Sequence, residues 1–267
     1  MSEWFCVYAL HTGLISEGDD IAAAVLAAAD AAPCAGVADG DIVLVAESAL
    51  ATAEGRAVRL DDVVPSEEAL RLADRHAIEP RIAEVVLRES DRVVGGIPGY
   101  LLTLKNGTLL PNAGVDHSNA PEGMVVPLPA DPNGSAARLR TAIRERRGVN
   151  AGVLIIDSRT HAMRLGCSGV AIGCAGLRAV VDEAGRSDLF GRKLEVTKRA
   201  VGDCLASAAE LLMGEADECV PAVLVRGTGI EMGEEAGIPT IEASACLFMG
   251  AALHADPSAF DREGKTE

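Results

Sequence analysis

Three aliphatic runs restrict this chain more than any other feature. IVLVAES at residues 42–48, GVLIIDSRT at 152–160 and VPAVLVRG at 220–227 are β-branched and nearly continuous, the pattern of strands buried on both faces. Such strands need helices above and below them, and helices are legible between the runs. DDIAAAVLAAADAA (19–32) sets two aspartates ahead of a strong helix former and stops at Pro33. PSEEALRLADRH (65–76) offers Ser66 as N-cap, and PRIAEVVLRES (80–90) opens with Pro80. DPNGSAARLRTAIRERR (131–147) turns into a helix with Leu139, Ala142 and Ile143 on one face. VTKRAVGDCLASAAELLMG (196–214) reads as a long helix with Ala200, Val201, Cys204, Leu205, Ala208, Leu211 and Leu212 apolar and Gly214 at C′.

A hairpin interrupts this alternation. YLLTLKNGTLLPNAG (100–114) is two apolar runs around Asn106-Gly107, the pair that supplies the positive φ angles of a type I′ turn. Together these elements predict an α+β fold with mixed sheets, hairpins and packed helices, in which the run at 220–227 is the last buried strand. Composition marks no internal boundary: residues 1–255 read as the folded body, as one unit or two subdomains, and 256–267 as a charged tail.

Charge narrows the partners. The formal net charge is -16, and so acidic a surface repels nucleic-acid backbones and anionic membranes. An anionic ligand therefore needs local rescue by divalent ions or helix N-termini. Seven cysteines, odd in number and without a Cys-x-x-Cys pair, indicate neither a disulfide framework nor a zinc site. Cys167 and Cys174 flank the small-residue run GCSGVAIGCAG and read as small packing groups. Glu3, Asp19 and Asp20 precede the first helix without a basic leader, which predicts a soluble, cytoplasmic protein.

Chemistry concentrates in a few polar segments. The loop LLPNAGVDHSNAPEG (109–123) follows the hairpin and carries Asp116, while Asp157 and Ser158 stand where a buried strand ends, a place where backbone rigidity fixes a side chain. Two such carboxylates and a hydroxyl form a hard-oxygen set suited to Mg²⁺ or Mn²⁺; an ordinary turn residue and an ordinary serine are the alternative reading. The acidic loop MGEADECV (213–220) holds Glu215. No Walker motif occurs, and VLVRGTGIEMG has the wrong glycine spacing for a dinucleotide fold. His11, His117 and His161 carry no pattern that assigns them acid or base work, so the catalytic groups are unassigned.

In order, GLISEGDDI, AEGR, PNAGVDHSN, DPNGSAARLR, GVAIGCAG, DLFGRKLEVT, LLMGE and VPAVLVRG resemble the coenzyme F420:L-glutamate ligase family, the gamma-glutamyl ligases of the deazaflavin coenzyme. The resemblance implies an enzyme that uses GTP and divalent ions to join L-glutamate to the deazaflavin precursor, on an F420 gamma-glutamyl ligase-like fold that forms an intertwined homodimer. It places one ion on Asp116 and Asp157 and a second on Ser158 and Glu215. It places the nucleotide against Leu10, His11, Thr12, Gly13, Ser48, Asn119, Met213, Gly214, Glu215 and Val220. Four departures stand out. Thr52 occupies the place of a nucleotide-side lysine, Glu47 replaces a hydroxyl, Arg159-Thr160-His161 replaces x-Gly-Arg after the acid-hydroxyl pair, and Gly202-Asp203-Cys204 replaces Ala-Asp-Glu. A lost charge-assisted phosphate contact costs about 1.5–3 kcal/mol. A paralogue ligating a different amino acid or acid, and a nucleotide-binding protein without catalysis, are the alternatives these changes leave open.

Overall fold

The computed structural model describes residues 4–252 and 254. Its strands in chain order are β1 (Cys6–Leu10), β2 (Ile42–Ala46), β3 (Val58–Arg59), β4 (Arg92–Ile97), β5 (Tyr100–Lys105), β6 (Thr108–Pro111), β7 (Met124–Val125), β8 (Gly152–Thr160), β9 (Cys167–Leu177), β10 (Val180–Asp182), β11 (Lys198–Ala200), β12 (Ala222–Arg226) and β13 (Met232–Ala236). The helices are α1 (Ile21–Ala31), α2 (Glu47–Ala53), α3 (Glu67–His76), α4 (Pro80–Glu89), α5 (Pro132–Arg147), α6 (Val201–Met213) and α7 (Leu247–Ala252). The mixed α+β expectation holds.

All three aliphatic runs lie in one six-stranded sheet of order β1-β12-β2-β8-β9-β13, where β2 and β8 are parallel and the other pairs antiparallel. Alternate residues supply two cores. Val43, Val45, Val153 and Ile155 pack with α1 and α5, whereas Ile42, Leu44, Leu154 and Ile156 pack with α6. Burial on both faces is why these runs are continuous rather than alternating. A third apolar cluster joins α3, α4 and the three-stranded β4-β5-β6 sheet through Leu72, Val86, Leu101 and Val115. Asn106 (φ 51) and Gly107 (φ 74) turn the β5-β6 hairpin as expected. Asp20, Ser66 and Glu79 cap α1, α3 and α4.

One buried ion pair closes the edge where β12 ends. Arg226 donates from Nε to Asp41 at 2.8 Å and from a terminal nitrogen at 2.6 Å, and it also donates to the carbonyls of Cys34 and Gly36. The Asp41 side chain is 2% exposed.

Several expectations are corrected. β2 stops at Ala46, and Glu47 and Ser48 form the first turn of α2. β8 continues to Thr160, so Asp157 and Ser158 lie within the strand, opposite Val170 and Gly169. The run at 220–227 is the last buried strand, as expected; the strand that follows it, β13, is a sheet edge with no buried residue. The buried side of α6 is Val201, Gly202, Leu205, Ala206 and Ala209; Cys204 and Leu211 are exposed. The reason is close approach: a Cβ on Gly169 would overlap the backbone carbonyl of Ala206, so the small-residue side of the helix meets β9. Cys174 is buried, as expected, but Cys167 is exposed. The tail assigned to 256–267 lies outside the described residues.

Candidate functional site

Strand register brings the acidic segments together. Leu10 pairs with Ala222, Ala222 with Val45, and Ala46 with Ile156, so the exit of β1, the entry to β12, the exit of β2 and the later part of β8 share one end of the sheet. His11, Thr12 and Gly13 leave β1 there, Val220 precedes β12, and Glu47 and Ser48 follow β2 directly. Met213 and Gly214 end α6 beside the same edge and hand the chain to Glu215, whose Oε2 accepts from the Ser158 hydroxyl at 3.2 Å.

Asp116 arrives from the loop after the hairpin. It is anchored by a two-way backbone bridge with Val126, and its Oδ1 accepts from the amides of His117 and Ser118 at 2.7 and 2.9 Å. The turn reading holds for one oxygen, and the charge of the carboxylate contributes to raising the pKa values of Asp157 and Glu47. Asn119, in the same loop, is exposed with φ 54.

Electrostatics define the centre. Burial raises the Asp157 carboxyl, Asp116 adds to the rise, and Arg159 opposes it through an Nε to Oδ2 contact of 2.7 Å. Burial, then the charges of Asp157 and Asp116, push Glu47 up to about 8. Glu210 reaches about 8 through burial, a hydrogen bond with Glu215 and the charges of Glu215 and Asp157. Glu47 entered the sequence reading only as a departure, and Glu210 not at all. Glu210 did leave a signal. Asp203, Ser207 and Glu210 fall at helical spacing on an otherwise apolar helix, and they turn out to face β9: Asp203 accepts from the Ala171 amide and Ser207 donates to the Gly169 carbonyl.

These raised acids carry a pH signature. The folded state keeps protons on Glu47 and Glu210 that the unfolded chain, at an ordinary 4.5, has released. Stability from this source is complete below about 4.5 and is lost as pH rises toward about 8. Carboxylates held low by ion pairs, such as Glu89 and Glu234, act below that window. The thermal midpoint in chelator is expected to fall from pH 5 to pH 8, with a shallower slope in Glu47→Gln; identical slopes in the two proteins would refute the assignment.

Among the described residues, no three His, Cys, Asp or Glu side chains form a group that encloses an ion unaided. Mg²⁺ in nucleotide sites is commonly held by one or two carboxylates, with phosphate oxygens and water completing the shell. The oxygens of Asp116, Asp157, Ser158 and Glu215 fit that manner of binding, and the raised carboxyl groups of Asp157, Glu47 and Glu210 mark a place that gains from a cation. The retained AEGR segment has a supporting role. Arg56 pairs with Glu89 at 2.7 Å, Lys105 reaches the other Glu89 oxygen at 2.8 Å, and Glu54 accepts from Ser135 and Arg138 on α5. Thr52 lies partly buried on α2. His161 contacts the Ser168 hydroxyl at 2.7 Å. No helix among the described residues is long and apolar enough to cross a membrane.

Comparison with known proteins identifies the family. The profile of the family described as F420-0:Gamma-glutamyl ligase matches residues 9–227. The coenzyme F420:L-glutamate ligase of Methanopyrus kandleri is 43% identical over 219 residues, covering 82% of this chain and 84% of its own. Those of Methanothermobacter thermautotrophicus (40% identical, 80% and 85% covered) and Archaeoglobus fulgidus (41% identical, 81% and 85% covered) are similar along much the same length.

Proposed function

This chain belongs to the F420-0:gamma-glutamyl ligase family, and from that membership we propose that it joins L-glutamate to the deazaflavin precursor through an amide bond, using GTP and divalent metal ions. The observation that supports this most directly is the gathering of Asp116, Asp157, Ser158 and Glu215 at one end of the six-stranded sheet.

Amide formation at neutral pH requires an activated carboxyl group, and phosphoryl transfer from GTP to that carboxylate supplies the activation. The metal ions would neutralise charge on the transferring phosphate. Asp116 and Asp157 would hold one and Ser158 and Glu215 the other, while residues 10–13, Ser48, Asn119 and the 213–220 loop enclose the nucleotide. Glu47 softens the departure it represents. Without metal, burial and the charges of Asp157 and Asp116 keep its carboxyl protonated up to about 8, so it presents an O–H where the family pattern has a hydroxyl. Arg159 sets a cation beside Asp157 and offsets part of the charge lost with lysine at the Thr52 position.

Incubating the protein with GTP, Mn²⁺, L-glutamate and the deazaflavin precursor is expected to give GDP and a product heavier by one glutamyl residue. GDP formed only with another acid would replace the acceptor, and nucleotide binding without turnover would remove the enzyme reading. We also propose a homodimer. Leu165, Leu189, Phe190 and Val196 are almost fully exposed, an arrangement that favours burial against a second copy. Sedimentation is expected to return twice the 27.5 kDa chain mass; a monomer at micromolar concentration contradicts it.

A further inference from the structure

Beside the acidic centre lies a cavity of about 380 Å³ between the β5-β6 hairpin, the start of α5 and β9. Its polar lining is mostly engaged already. Lys105 is paired with Glu89, Thr108 donates to the Lys105 carbonyl, and Asp131 uses Oδ1 to cap α5 at the Gly134 amide. Arg159 differs. Its side chain is 14% exposed and its Nε is committed to Asp157, yet its two terminal amino groups donate to no described residue. No buried side-chain nitrogen among the described residues lacks a partner, so these groups open into accessible space.

A guanidinium with its terminal amino groups free binds a carboxylate in bidentate fashion. Asp131 is the one acid in the lining; with Lys105 neutralised by Glu89, Arg159 and Asp131 leave the cavity a cation and an anion, the complement of an amino acid. Its other walls mix aliphatic side chains such as Leu110, Ile172 and Ile238 with the neutral polar Asn133 and Thr240, and contain no aromatic ring; a short acidic amino acid finds apolar contact for its methylenes there, and a fused-ring system finds no stacking partner. The volume falls within the usual range for small-ligand sites. Position completes the argument: a carboxylate on Arg159 sits one guanidinium away from Asp157.

We propose that this cavity is the subsite for the incoming acidic amino acid, with a carboxylate on the terminal amino groups of Arg159 and the ammonium toward Asp131. The inference rests on the ligase reading and adds to it the place from which the amine approaches.

Thr240 lines the cavity and is exposed, so Thr240→Trp fills it without touching Asp157. In steady-state assays Thr240→Trp is expected to raise the KM for L-glutamate at least about tenfold, leaving the KM values for GTP and the deazaflavin acid within about twofold. Arg159→Gln is expected to shift the same constant, with part of the loss recovered in Arg159→Lys. A change confined to the deazaflavin acid, or no change, overturns the proposal. Calorimetric titration of L-glutamate into the full chain separates the two readings if no amide forms. Binding that is lost in Thr240→Trp and weaker for glutarate upholds the subsite while the ligase reading fails. Wild-type protein that binds no L-glutamate, or a variant that binds it equally, overturns the subsite. The thermal midpoint of Thr240→Trp, expected within a few degrees of wild type, excludes misfolding as the cause.

Discussion

Asp157→Asn is expected to lower kcat/KM for amide formation by about three orders of magnitude, a loss of about 4 kcal/mol of transition-state stabilisation, and to remove Mn²⁺ binding. The side chain keeps its size and its contact with Arg159, but it loses the charge that attracts a cation and that raises the carboxyl groups of Glu47 and Glu210. The fold should tolerate the change, because Asp157 sits amid like charges and their relief offsets the weakened ion pair. Mn²⁺ affinity can be read by calorimetry and the fold by circular dichroism. Unchanged Mn²⁺ affinity in a folded variant would end the assignment of Asp157 as a ligand.

Arg226→Met is expected to destabilise the protein by about 3–5 kcal/mol, because it leaves the buried carboxylate of Asp41 without its cation. At this chain length the thermal midpoint should fall by roughly 6–20 °C. The cost comes from the unpaired charge more than from the lost attraction. Replacing both partners, in Asp41→Leu with Arg226→Met, should therefore recover most of the stability. Arg226 pairs with Cys6, at the opposite end of β12 from the acidic centre, so the KM for each substrate should stay unchanged in the folded fraction. A double variant no more stable than Arg226→Met would show that the carbonyl contacts to Cys34 and Gly36 dominate instead.

Local features were read correctly wherever the physics is local. Ser66 accepts from the Ala69 amide because a side-chain oxygen at an N-cap needs only its own helix. Asn106-Gly107 forms its turn because positive φ is a property of those two residues. The side of α6 that is buried depends on a distant strand. Hydrophobicity favours Leu211 and Leu212, but Gly169 permits contact only with small residues. The same holds for Glu210, which became part of the site because β9 lies beneath its helix.

The ordered motifs, the double-sided strands and the acidic composition were enough to determine the family, the α+β class and the residues worth following, since each rests on residue type and short-range spacing. Only the tertiary structure decided that Glu47 and Glu210 join Asp116, Asp157, Ser158 and Glu215, and that Arg159 turns its unpaired amino groups into a cavity. Those relations come from strand register and helix approach between segments distant in sequence, and burial there raises the carboxyl groups of Glu47, Asp157 and Glu210 in a way that residue type alone does not set.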